Sequence, residues 1–326
     1  SWTAHHRLQQ LLGAGGQGVV YKTERRGSDD FTLPVAVKIF SPEHFKDARQ
    51  YDEAMGRSGK VAAHVAQIQH DNFLDVQNFL DQDRIRMMVM EWIDGYDLRY
   101  LLSNQLVLQI RDRVSEKRWR HISEVIVAPA ETQPRIRPGV AVAIVRECLA
   151  ALAAIHREGI VHGDIKPANI MLKPTDPALQ EPDDLPFHPV LTDFGLAKLA
   201  EGGIQTQTGT SMGTPTYMSP EQCLGLEPDR RADIYSLGIV AYEMLLGEPP
   251  FAGKLHEVRS AQRTTPVPSP RSQDARIPDD LEELVRRATA KPLDERFQSC
   301  EEILRLRSEV HEAETGPLGL AVKTVT

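Results

Sequence analysis

The chain is poor in cysteine, in excess positive charge and in long apolar runs, and each shortage removes a class of protein. Its three cysteines, Cys148, Cys223 and Cys300, lie far apart and without metal-type spacing. That argues against a disulfide framework or a zinc site and suits a reducing compartment. A net charge of −8 gives no general reason to expect nucleic-acid binding. No stretch reaches the roughly 18 uninterrupted apolar residues that a membrane helix needs. The longest candidate, 140–155, is broken by Arg146 and Glu147. The first residues carry no apolar signal-peptide core. Together these absences predict a cytoplasmic segment with no membrane contact of its own, although a longer parent could hold an anchor elsewhere.

What is present describes an ordinary globular protein, 41% hydrophobic and 26% charged. Its 326 residues exceed the size at which one core usually stops growing, so two lobes are expected. The first 93 residues read as strands interrupted by one helix. Leu33-Pro-Val-Ala-Val-Lys-Ile-Phe40 and Arg86-Met-Met-Val-Met-Glu91 have strand length. Ser41-Pro42-Glu43 looks like a helix start, and Gly56 and Gly59 predict a bent or split helix. From about residue 138 helices dominate: 140–156 and 233–246 are long and apolar, while 281–290 and 301–310 are shorter and amphipathic. Residues 103–137, 173–189 and 266–270 read as loops or insertions, and the tail after Glu312 as a linker. The basic run 111–120 reads as a docking surface or, more simply, a solvated helix face.

Four motifs follow one another in order. In Gly13-Ala-Gly15-Gly-Gln-Gly18 the missing Cβ atoms let backbone amides approach a phosphate. Dinucleotide-binding folds share that spacing, but there the third glycine opens a helix and an acid follows about twenty residues on. Here Gly18 leads into the strand-like Val19-Val20-Tyr21, and Lys38 stands at that distance. Lys38 lies in an apolar run, where an unpaired ammonium would be costly. His162-Gly163-Asp164-Ile-Lys166-Pro-Ala-Asn169 then supplies a carboxylate and an amide five positions apart. Asp193-Phe194-Gly195 supplies a second carboxylate. Each element alone is weak. The ordered set is specific.

On these motifs the chain resembles the eukaryotic-type Ser/Thr protein kinases, over roughly residues 8–310. Gly-Asp-Ile-Lys-Pro-Ala-Asn-Ile and Gly-Thr-Pro-Thr-Tyr-Met-Ser-Pro-Glu-Gln look most like the bacterial members. The resemblance implies an α+β bilobal fold. A small β-rich N-lobe would span 1–93, with a larger helical C-lobe over 94–312 and a tail over 313–326. It implies ATP and Mg²⁺ (or Mn²⁺) as cofactors, Ser/Thr-bearing proteins as substrates, and a place in signalling with autophosphorylation. Asp164 would be the base, with Lys166 and Lys38 offsetting phosphate charge and Asn169 and Asp193 holding the metal. Glu53 would pair with Lys38 from the helix, Glu43 being the alternative. Gly13, Gly15, Gly18, Val20, Ala36, Lys38, Met90, Glu91 and Ile93 would surround the nucleotide, Met90 as gatekeeper and Glu91-Trp92-Ile93 as hinge. Asp97 reads as a ribose contact or as a helix N-cap. Thr214 would tie the activation segment to Asp164 and Lys166. Thr206, Thr208, Thr210 and Ser211 would be phosphorylation candidates. Arg296 would pair with Glu221, and Asp233 would support the catalytic loop.

One departure stands out: Gly163 replaces the arginine that in many family members grips a phosphate on the activation loop. Activity is therefore expected not to depend on such a clamp. Two rival readings are a pseudokinase that binds nucleotide or a partner, and a small-molecule kinase of the aminoglycoside or choline type. The complete Lys38, Asp164, Asn169 and Asp193 set weighs against the first. The long 193–221 segment, suited to a protein substrate, weighs against the second.

Overall fold

A computed structural model describes residues 6–15, 18–29, 31–43, 45–112, 114–128, 133–175, 185, 187–193 and 215–305. Among these, the chain divides into two compact units. The first comprises residues up to Asp94 together with Asp193, and the second comprises 95–192 and 215–305.

The first unit is a five-stranded antiparallel sheet with one helix. Its strands are β1 (His6–Gly15), β2 (Gly18–Arg26), β3 (Thr32–Phe40), β4 (Val76–Gln82) and β5 (Ile85–Glu91), in the order β1-β2-β3-β5-β4. Alternation along β3 sends Val35 and Val37 to one face, where they pack with Met87 and Val89 of β5. Ala36 and Lys38 take the other face, opposite Met90 and Met88. The helix, α1 (Ala48–Val65), starts later than Ser41-Pro42-Glu43 suggested, because the Asp47 carboxylate caps it through the Gln50 amide. It also runs unbroken through Gly56 and Gly59. Burial of Tyr51, Ala54, Met55, Ala62 and Val65 along one face outweighs the propensity cost of two glycines.

In the second unit, the described residues of 103–137, read from the sequence as a loop or insertion, carry secondary structure of their own. They form α2 (Asn104–Arg111), α3 (Glu116–His121), a π-helical turn (Ile122–Ile126) and a hairpin of β7 (Val127–Ala128) and β8 (Arg135–Ile136). Ile110, Ile122, Ile126 and Ile136 are buried, so the segment contributes to the core. Of its basic run, Arg111, Lys117 and Arg120 are exposed. A small sheet, β6 (Tyr96–Asp97), β9 (Ile170–Pro174) and β10 (Phe187–Leu191), has the order β10-β9-β6.

The remaining helices are α4 (Pro138–Arg157), α5 (Pro220–Cys223), α6 (Arg230–Leu246), α7 (Leu255–Thr264), α8 (Asp279–Ala288) and α9 (Cys300–Arg305). Helix α4 has the length and composition to cross a membrane, but most of it is buried inside the unit, as befits a core helix. Helix α6 is buried along nearly its whole length, from Ala232 to Leu246 apart from Glu243. Asp229 caps its start and Gly247, at φ 81°, ends it.

Candidate active site

In the first unit the glycine-rich motif joins β1 to β2, with Gly15 opposite Gly18. Gly18 has φ +136°, and a Cβ there would lie 1.9 Å from the Ile39 carbonyl oxygen, so only glycine fits. A Cβ at Gly13 or Gly15 would meet nothing within 4 Å, so packing does not demand glycine at either position. Val20 lies opposite Lys38, and Ala36 opposite Met90. Val20, Ala36, Lys38 and Met90 therefore share one face of the sheet. Met90 and Ile93 are buried, and the Glu91 amide donates to the Asp75 carbonyl. Trp92 carries the Lys22 ammonium over its ring, 3.4 Å from the centroid.

Lys38 is 4% exposed, and its ammonium lies 2.5 Å from Asp193 Oδ1. The pair compensates a cation that burial would otherwise penalise. Asp193 adopts φ 55°, a conformation that short polar side chains tolerate better than others. The structure does not bring Glu53 to Lys38. Glu53 sits on the exposed side of α1, where its carboxylate accepts from Arg49 at 3.0 Å, one turn away. Asp52, the other acid of α1, pairs with Arg86 at 3.3 Å. Glu43 precedes the helix altogether.

In the second unit the catalytic-loop motif is held by its backbone. Asp233, near the start of α6, is almost fully buried and accepts the His162 amide at 2.8 Å and the Gly163 amide at 2.7 Å. His156 Nε2, from the last turn of α4, lies 2.8 Å from the same carboxylate, and Cys300 Sγ lies 3.6 Å from His156 Nδ1. The buried His162 ring spans the loop, with Nδ1 accepting the Asp164 amide at 3.3 Å and Nε2 3.1 Å from the Thr192 carbonyl. An acceptor on one nitrogen and a donor on the other describe a neutral imidazole.

On this frame one oxygen of Asp164 is shared. Oδ2 accepts from Lys166 Nζ at 2.7 Å and from Asn169 Nδ2 at 3.0 Å, and the same amide donates to the Asp164 carbonyl at 2.7 Å. Gly163 has φ +72°, and its carbonyl accepts from Gln222 Nε2 at 2.9 Å. Asp97 acts as an N-cap, accepting the Arg99 amide, and its carboxylate is gripped at both oxygens by the Arg99 guanidinium at 2.8 Å. That hydrogen bonding holds the Arg99 pKa above its ordinary value.

Beyond the loop, α5 opens with a capping box between Ser219 and Gln222. Its Glu221 meets the fully buried Arg296 at 2.8 Å. Tyr217 is fixed at both ends: its carbonyl accepts from Ser236 and its hydroxyl donates to Glu243 at 2.7 Å, both residues of α6. Burial raises the Glu243 carboxyl to about 7, against a smaller opposing effect of that hydrogen bond. Phe194, Gly195, Thr206, Thr208, Thr210, Ser211 and Thr214 lie outside the described residues.

Three participants went unnoticed in the sequence. Gln222 was legible, since Ser-Pro-Glu-Gln matches the capping-box pattern. His156 shows only as a basic residue closing a helix, and Tyr51 only as an aromatic on its apolar face.

A family model described as the protein kinase domain matches residues 6–306. Serine/threonine-protein kinase pkn3 of Myxococcus xanthus is 31% identical over 304 residues, covering 91% of this chain and 48% of the relative. Serine/threonine-protein kinase PknD of Mycobacterium tuberculosis is 32% identical over 322 residues, covering 95% of this chain and 41% of the relative. The chain thus spans about half the length, or less, of these curated relatives. Among solved structures, the kinase domain of Mycobacterium tuberculosis PknI, as a double mutant, aligns with a TM-score of 0.62 at 26% identity. That alignment covers 92% of this chain and 93% of the other.

Proposed function

Because the chain belongs to the protein kinase family, we propose that it transfers the γ-phosphate of ATP to serine or threonine hydroxyls of protein substrates. The observation that carries this reading is the Asp164 carboxylate, held by Lys166 and Asn169 on a loop whose backbone is pinned to buried Asp233. Phosphoryl transfer asks a protein mainly for alignment and charge compensation. Asp164 accepts the proton of the attacking hydroxyl. Lys166, which already donates to Asp164, stands beside the acceptor and offsets phosphate charge. Lys38 serves the α- and β-phosphates from β3. The Gly13–Gly18 turn, Val20, Ala36, Met90, Glu91 and Ile93 bind the nucleotide.

The donor chemistry of Asp193 and Asn169, one carboxylate and one amide oxygen, suits a hard divalent cation such as Mg²⁺. Those two side chains would hold it, and it would neutralise charge on the phosphates. Lysine at position 166 favours Ser/Thr over tyrosine acceptors in the family that the chain resembles.

The test is incubation with labelled ATP, Mg²⁺ and a generic protein substrate, with the Asp164→Asn variant alongside. Transfer to Ser or Thr should fall ~10²–10³-fold in a variant that folds normally. Nucleotide binding without transfer by the wild-type chain would make it a binding module instead.

A further inference from the structure

The first unit raises the question of what fixes α1 to the sheet that carries Lys38. Its two carboxylates, Asp52 and Glu53, both pair with arginines, Arg86 and Arg49. The neighbouring Tyr51 is buried, 4% exposed, and meets the backbone of the same Arg86. Its hydroxyl donates to the Phe40 carbonyl at 3.2 Å and accepts the Arg86 amide at 3.3 Å. Phe40 ends β3 two residues beyond Lys38, and Arg86 lies at the start of β5.

The register of these strands gives the contact its meaning. Lys38 lies opposite Met88 and Ile39 opposite Met87, where the pairing stops. Continuing it would set Phe40 opposite Arg86. The Tyr51 hydroxyl bridges those two backbones at that rung. It therefore joins three elements with one oxygen: the end of β3, the start of β5 and the first turn of α1. The ring packs edge-on against Phe45, 5.3 Å between centroids. Burial raises the phenol's pKa above its ordinary value, so it keeps its proton at working pH.

We propose that Tyr51 is a positioning residue, whose hydroxyl splices α1 into the β3–β5 ladder and so sets where Lys38 is presented. This role rests on the kinase reading given above. A tether made of a buried neutral hydroxyl does not weaken with salt, unlike an exposed ion pair. It also uses no atom of the Lys38 side chain, whose ammonium pairs with Asp193.

The experiment uses the whole chain and the isosteric variant Tyr51→Phe, which keeps the ring and removes one oxygen. Two quantities are read: the exchange rate of the Arg86 amide, and kcat at saturating ATP separately from KM. Loss of one buried hydrogen bond should speed Arg86 exchange about tenfold and lower kcat about tenfold, with the fold intact by circular dichroism. Unchanged Arg86 exchange would overturn the tether. Faster exchange with unchanged kcat would overturn the positioning role, because a purely structural bond leaves the saturated rate alone. Abolished transfer in Glu53→Gln beside normal turnover in Tyr51→Phe would equally overturn it, returning the role to the helix carboxylate. If the wild-type chain transfers no phosphate, it is the functional reading that fails, and Arg86 exchange still decides the tether.

Discussion

Helices α1 and α6 each support residues assigned to the chemistry, yet they are wired differently. Helix α6 is buried on nearly every side and works through carboxylates. Asp233 gathers two backbone amides and His156, and Glu243 receives the Tyr217 hydroxyl. Helix α1 is half exposed: Glu53 pairs with Arg49 of the same helix, while Asp52, through the half-buried Arg86 of β5, and the neutral phenol of Tyr51 join it to the sheet. The difference follows from solvent. A buried carboxylate must be saturated with donors, so it organises whatever surrounds it. A carboxylate near the surface is already satisfied by water and loses little by facing outward.

The sharpest test of this contrast is Asp233→Ala. It orphans the His162 and Gly163 amides and removes the partner of His156. At about 1–3 kcal/mol for each buried donor left unpaired, the loss should reach about 3–6 kcal/mol in urea denaturation. Transfer should fall with it, because the loop bearing Asp164 loses its support.

A milder test uses pH. The Glu243 carboxyl is raised from 4.5 to about 7 in the folded protein, so folding holds its proton more tightly. Its favourable contribution is therefore complete below about pH 4.5 and is lost as pH rises through about 7. Wild type should lose up to about 3 kcal/mol more than Glu243→Gln between pH 4 and pH 8, read from paired denaturation curves. Equal slopes for the two proteins would mean that the buried helix handles charge no differently from the exposed one. At the other extreme stands Arg49→Ala, which cuts the exposed pair with Glu53. It should cost only about 0.3–0.5 kcal/mol, seen as a shift of one or two degrees in the melting curve.

The sequence told these regions apart only in part. The cluster around Asp164 was readable because it is local: Asp164, Lys166 and Asn169 lie within six residues, and the structure brings them together. Arg296 facing Glu221 was also anticipated and is found, although the two are far apart in the chain. The helix acid is where the reading stopped. Glu53 was chosen for its residue type, but the rotation of α1 follows from which side chains the sheet buries, and no single-residue feature announces that. Residues 103–137 were read as a loop or insertion for a related reason. The charges of 111–120 drew the reading to the solvent side, whereas four spaced isoleucines supply a core that becomes apparent only in three dimensions.

The four-residue helix α5 carries a further implication, for sequence drift. Three successive side chains or carbonyls there serve three different parts of the second unit: Glu221 holds Arg296, Gln222 holds the Gly163 carbonyl, and the Cys223 carbonyl accepts from Arg259. Inserting or deleting one residue would turn every later position by about 100° around the helix axis and release these partners together. Evolution can exchange the chemistry at each place one substitution at a time. A change in the count would act on all three contacts at once, so Pro-Glu-Gln-Cys behaves as a fixed-length word.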